Sequence, residues 1–350
     1  MYRLNQYEIA SLISYSTIGS MPDEKLFAAA EKGELSDPRK RQSHVRRLLD
    51  EPPAKVYLEK FSGMWLDIEK LMSSSREDPS LTPEIRRQMI EETKTFVSHS
   101  FLDTQGSFSD FFTADYTYTR PELAAYYGMQ DSQSSGLAKR QLDATRSGVL
   151  GHGSILASQS LFLESSPIKR GVFVRMQLLC QDLPPPPANV DTTIPPPIPG
   201  QSIRDRLKRH QSQGEQEDGA NSCFSCHRFI DSIGFGLESF DFAGKHRTIY
   251  EHIGGVAIDS SGAVSNIEGL NAPSNHEFQT LPELGQILAD SQSAKDCVVT
   301  QLYRYTYGVN NKRSDQCALD ELNRSFAANG YSVRALIESF SASEFFIYRQ

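Results

Sequence analysis

Along the first 135 residues apolar positions recur at helical intervals. In "LTPEIRRQMIEETKTFVSHSFLD", Ile85, Met89, Phe96 and Val97 share one helix face, with Thr82 as N-cap and Pro83 at the first helical position. "SMPDEKLFAAAEKGEL" follows the same grammar, with Ser20 as cap, Pro22 in the first turn, Asp23 and Glu24 at the positive end of the dipole, and Gly33 at the stop. "VYLEKFSGMWLDIEKL", around Trp65, predicts another buried helix. "SFSDFFTADYTYTRPELAAYYGM" predicts core aromatics followed by a second helix start at Pro121.

Residues 131–147 are polar and read as a loop or boundary. After them a Ser/Pro turn leads into a helix from about Ile168 to Leu179. "LPPPPANVDTTIPPPIPG", residues 183–200, forbids helix and central strand and predicts a polyproline II strap, an SH3-type ligand being the other use of such a run. Residues 203–222 read as a charged amphipathic helix and loop, and "GVAIDSSGAVSN", within 248–280, as a β-hairpin with Ser-Gly at its turn. "LPELGQILADS", "AKDCVVTQLYRYTYG", "SDQCALDELNRSFAANG" and "SVRALIESFSASEFF" are helical, with Gly308 and Gly330 at C-caps. There is no internal repeat. The pattern predicts a mainly α protein of several helical subdomains with a proline-rich strap and a small β-hairpin: an N-terminal helical domain, 1–135, a strap-bearing domain, 136–275, and a C-terminal helical domain, 276–350.

Composition narrows the function classes. The chain has 350 residues, 23% of them charged, and a net charge of -8, which argues against non-specific nucleic-acid binding but suits docking of a basic redox partner. No apolar run approaches the roughly 18 residues of a membrane-spanning helix. "MYRLNQYEIASLISYS" lacks the grammar of a secretory signal, so the chain reads either as cytosolic or as a portion of an exported precursor.

The cysteines bear on that choice. In "CFSCH", Cys223 and Cys226 are two residues apart and His227 follows at once. Covalent haem attachment requires this spacing: two thiols add across the vinyl groups and the adjacent imidazole reaches the iron. Five cysteines and eight histidines in this length produce the motif by chance about 0.002 times. A zinc site needs further ligands, and neither a second C-x-x-C nor an H-x-x-x-H is present. The βαβ context of a thioredoxin-like dithiol is absent. A structural disulfide across two residues is strained. One covalent haem c places the protein outside the bacterial cytoplasm, periplasmic or at the cell surface. There, two of Cys180, Cys297 and Cys317 can pair. Cys297 with Cys317 is the first expectation, leaving Cys180 as a buried thiol, although both partners start helices that would hold them apart.

"CFSCHRFIDSIGFGLESFDFAGKHR" resembles the C-x-x-C-H-x-x-x-D-P-x-G-F-x-L-E-x-F-D-x-x-G-x-x-R block of the planctomycete-type cytochrome-like proteins, a bacterial group built from domains of unknown function. "ISYSTIGSMPDEKLFAAAEKGEL", "SGVLGHGSILASQS...SSPIKRGVFVRMQLLCQDLPPPPANV" and "CVVTQLYRYTYG...DQCALDELNRSF" resemble further stretches of the same group, so the likeness covers nearly the whole chain. Ser232 departs from the pattern's proline. The N-terminal domains and separate cytochrome module common in the group are also missing, which suggests a fragment or a short member. The resemblance implies a haem-bearing, exported, largely helical protein and supplies no activity.

The iron's sixth position separates the function classes. Met176, His152, His246 and Met129 are the candidates, Met176 and His152 foremost. His152 stands between Gly151 and Gly153, which let backbone approach a planar ligand. Asp231 and Asp241 are candidates to hold the His227 Nδ1 proton, or with Glu238 to cap turns. Arg247 is a candidate partner for a haem propionate, and Phe235, Leu237 and Phe240 for the haem wall. The expected function is a monohaem c-type cytochrome passing single electrons to or from a protein partner. The alternatives are a peroxidase-like haem enzyme with an open sixth position, and a structural or binding module of a larger cell-surface assembly.

Overall fold

The structure, a computed structural model, describes residues 2–129, 134–183, 193–213, 224–265, 267 and 275–349. It is mainly helical, and among the described residues the strands form four short antiparallel pairs. No described helix is long and apolar enough to cross a membrane. The chain forms two compact units, each assembled from separated stretches: residues 1–67, 93–111 and 295–350, and residues 68–92 with 112–294.

In the first unit, strand Tyr2–Arg3 pairs with Tyr348–Arg349, bringing both ends of the described chain together. Helix Gln6–Ile18, capped by Asn5 in a reciprocal box with Glu8, buries Ile9 and Ile13 in one cluster with Leu26, Val45, Leu48 and Phe346. Arg41, 2% exposed, donates to the carbonyls of Ser341, Ala342 and Ser343. These lie where helix Val333–Ala342 ends, so a buried guanidinium satisfies carbonyls that the helix cannot. Trp65 ends helix Pro52–Trp65 and stacks on Phe111, ring centroids 5.1 Å apart. The buried helix expected around Trp65 is therefore present.

Helix Pro83–Leu102 starts as expected, with Thr82 Oγ1 accepting from Ile85 N at 3.2 Å. The helix at Glu24–Glu31 is capped by Asp23, whose carboxylate accepts from Leu26 N at 2.9 Å; Ser20 and Pro22 lie outside it. Asp23 also pairs with Arg47, and a carboxylate placed three residues before its donor outcompetes a hydroxyl further upstream. Gly308 and Gly330 take left-handed φ of 65° and 63° just past the helices Gln292–Tyr307 and Gln316–Ala328, as the pattern predicts.

Three expectations change. Strand Tyr116–Thr119 pairs with Ala138–Gln141, inside the stretch read as loop, and "YTYT" obeys a period of two, with Thr117 and Thr119 fully buried. The strands of the expected hairpin do not pair across Ser261–Gly262: Ile249–Tyr250 pairs with Val256–Ala257, and Gly262–Ser265 with Asn275–Phe278. A Cβ on Gly262 would lie 2.2 Å from the Ser232 carbonyl oxygen, so this glycine serves a close backbone approach. Cys180 and Cys297 are each disulfide-bonded, whereas Cys317 is free and exposed. The expected Cys297–Cys317 pair is therefore absent: the buried Cys297 is bonded elsewhere, and Cys317, on a separate helix, faces solvent.

Helix Pro167–Phe173, capped by Ser166, continues into a π-turn at Val174–Leu178, close to the expected bounds. Residues 184–192 of the strap lie outside the described residues, and 193–198 are neither helix nor strand. The charged helix is Ile203–Gln213; residues 214–223 after it lie outside.

Candidate functional site

In the second unit, helices Pro167–Phe173 and Phe224–Phe235 touch backbone to backbone. A Cβ on Gly171 would lie 1.9 Å from the Ile230 carbonyl oxygen, and one on Gly234 1.9 Å from that of Pro167, so neither position admits a side chain. Arg170, fully buried, donates to the Leu237, Phe240 and Asp241 carbonyls and lies 3.2 Å from Glu238 Oε1. Glu238, equally buried, also accepts from Arg247 at 3.0 Å, Ser165 at 2.8 Å and the Tyr250 hydroxyl at 3.3 Å. Two guanidinium groups and two hydroxyls offset the desolvation of one carboxylate, and the "GFGLESFD" turn is locked onto both helices. Ser232, in place of the pattern's proline, accepts from Ala263 N at 2.7 Å and ties strand Gly262–Ser265 to helix Phe224–Phe235.

This frame holds His227 near the start of helix Phe224–Phe235. One turn on, Asp231 meets its Nδ1 at 3.0 and 3.1 Å, the two side chains being 13% and 4% exposed. With Nδ1–H donating to a carboxylate, the lone pair resides on Nε2, the nitrogen that can take a metal. Gln211, on helix Ile203–Gln213, donates to Asp231 Oδ2 at 2.9 Å. Beside it His210, 4% exposed, sets its ring against that of His227, centroids 5.0 Å apart and planes at 68°. The sequence reading singled out neither His210 nor Gln211. The signal was available: His210 follows Leu207 by three positions on the buried face of an otherwise charged helix.

Cys223 lies outside the described residues, and of Cys226 only the backbone is described. Among the described residues no three His, Cys, Asp or Glu side chains are arranged to hold a metal ion. Phe235, Leu237 and Phe240 are buried, with the Arg204 guanidinium 4.1 Å over the Phe235 ring. Arg247 is engaged by Glu238 and Ser165. Asp241 accepts from Ala243 N and Lys245 N, the turn-capping use. Met176 is 39% exposed on the π-turn, Met129 is half-buried, and His246 is exposed, edge-on to Phe240 at 5.6 Å. Next to Met176, Arg175 is buried and donates to the Phe229 carbonyl, Gln181 and Ser265, all neutral acceptors.

His152 belongs to a second buried cluster. Glu92, fully enclosed, accepts from the Tyr127 hydroxyl at 2.6 Å and the Thr117 hydroxyl at 2.8 Å, and Thr117 Oγ1 lies 3.3 Å from His152 Nε2. Burial outweighs these bonds and raises the Glu92 carboxyl to about 7. Burial, aided by the charge of Arg146, lowers His152 to about 3, so this imidazole is neutral.

Three family models match the chain in succession: protein of unknown function DUF1592 over residues 4–129, DUF1588 over 146–250 and DUF1585 over 274–346. The second spans both helices that carry His210 and His227. No curated protein and no solved structure matches the chain.

Proposed function

We propose, for a chain whose three consecutive domains fit the planctomycete-type multidomain proteins, an exported monohaem c-type cytochrome that passes single electrons to or from a protein partner. The observation that carries this reading is the bond from His227 Nδ1 to Asp231, which leaves Nε2 as a ligating nitrogen directly after the second cysteine of C-x-x-C-H. Positions 226 and 227 are successive on one helix, and hence about 100° apart around its axis. A single tetrahedral ion is poorly placed to bind both, whereas a macrocycle takes thiols at its edge and an imidazole at its centre.

Haem bound there supplies a one-electron couple. Among the chain's own residues, Asp231 orients His227 and strengthens it as a donor. Arg175 has neutral acceptors, the Phe229 carbonyl, Gln181 and Ser265, and is a candidate partner for an acidic group of the cofactor, Arg247 being engaged by Glu238. The disulfide bonding of Cys180 and of Cys297 is compatible with export. The Asp231–His227 bond favours one other reading: a strongly donating imidazole also suits peroxide chemistry when the opposite axial position is open.

The test is intact mass after denaturation, on full-length chain made in a host that matures c-type cytochromes. A gain of one haem, lost in Cys223→Ser, is expected, and no gain sinks the proposal. A low-spin spectrum indifferent to carbon monoxide supports the carrier, and high-spin iron that reacts with peroxide supports the enzyme.

A further inference from the structure

Resting on the haem reading above, we infer that His210 is the second axial ligand, so that the iron sits between two imidazoles. The other candidates for that position face different surroundings: His152 Nε2 is 3.3 Å from Thr117, His246 packs on Phe240, and Met176 is 39% exposed. His210 is 4% exposed, with its ring 5.0 Å from that of His227. An imidazole buried against the ring of the histidine that ligates the iron is placed to bind the same metal from the opposite side.

The position of His210 is set by its neighbours. Gln211 binds the same Asp231 carboxylate that takes the His227 Nδ1 proton, so one side chain fixes the register of both helices. One turn earlier Arg206 pairs with Glu164 at 2.7 Å and donates to the Pro195 carbonyl, which anchors the helix from its other side. Imidazoles in line across a metal, with metal–nitrogen bonds of about 2 Å, hold their centroids about 6 Å apart. The rings here stand about 1 Å closer, so binding the metal requires the His210 ring to turn outward by about that much.

The experiment compares wild type, His210→Ala and Met176→Leu, all full length and matured with haem, by intact mass and electron paramagnetic resonance. Wild type and Met176→Leu are expected to be low-spin with the signature of two imidazoles. In His210→Ala, iron is expected to become mostly high-spin, to bind carbon monoxide at least about tenfold more tightly, and to return to low spin with added imidazole. Haem attached but low-spin in His210→Ala overturns the inference alone. No covalent haem in wild type overturns the haem reading and the inference with it. Should His210→Ala not fold, the near-infrared charge-transfer band of wild type decides: the bis-imidazole position supports the inference, and the histidine–methionine position overturns it.

Discussion

The second unit holds two acid–imidazole pairs built to opposite ends. In one, Asp231 touches Nδ1 of His227 directly and Nε2 is left for a ligand. In the other, the Thr117 hydroxyl stands between Glu92 and His152, and it is Nε2 that the hydroxyl meets. The first pair is at a helix start beside the cysteine motif, with His227 13% exposed; the second is enclosed, with His152 1% exposed. The acid beside an imidazole therefore says little by itself: which ring nitrogen it occupies decides whether the histidine is offered to a metal or sealed into the fold.

The largest effect expected from breaking this contrast is at Glu92. Its folded value of about 7 lies above the ordinary 4.5. The unfolded chain therefore ionises first as pH rises. Stability contributed by the neutral acid is complete below about pH 4.5 and is lost progressively up to about pH 7, amounting to about 3 kcal/mol. Glu92→Gln removes the titration. A glutamine amide can donate to Thr117, whose proton then turns to His152 Nε2. Denaturant melts from pH 4 to 8 should show the variant gaining on wild type by about 3 kcal/mol over that window. Parallel curves would mean that Glu92 is ionised throughout.

Asp231→Asn tests the other pair. A carboxylate behind a ligating imidazole is worth about 10- to 100-fold in metal affinity. With haem covalently held, the loss should register as a rise in reduction potential of about 60–120 mV, at 59 mV per tenfold for one electron. Glu92→Gln should leave the potential unchanged. A potential unmoved by Asp231→Asn would reduce Asp231 to a helix-surface acid.

The contrast was only half legible in the sequence. C-x-x-C-H and Asp231 one turn later are local, and helical spacing alone puts His227 and Asp231 on one face. The helix starts at Thr82–Pro83 and Ser166–Pro167 are local in the same way. Whatever depends on chain crossing was not legible. His210 and Gln211 reach the site only because helix Ile203–Gln213 returns to helix Phe224–Phe235, and His152 meets Glu92 only through the strand "YTYT", whose aromatics masked its period of two. Gly171 in "SPIKRG" and Gly234 in "DSIGFG" carried a signal of their own, since both are positions where a Cβ would strike a carbonyl of the neighbouring helix.

The smallest expected effect, at Gln211→Met, sharpens the comparison most narrowly. The substitution keeps the side chain's length and removes one hydrogen bond, that from Nε2 to Asp231 Oδ2 at 2.9 Å, at a part-buried site. The expected loss of stability is about 1 kcal/mol, because Asp231 still accepts from His227 Nδ1 and is not left bare. His227 should keep its tautomer, so the reduction potential should stay within a few tens of millivolts of wild type and far from that of Asp231→Asn. What loosens is the helix carrying His210, and a minor high-spin fraction, growing on warming, is the expected spectroscopic sign. If the potential instead moves as far as in Asp231→Asn, the carboxylate orients His227 only when Gln211 holds it, and the two helices form one device.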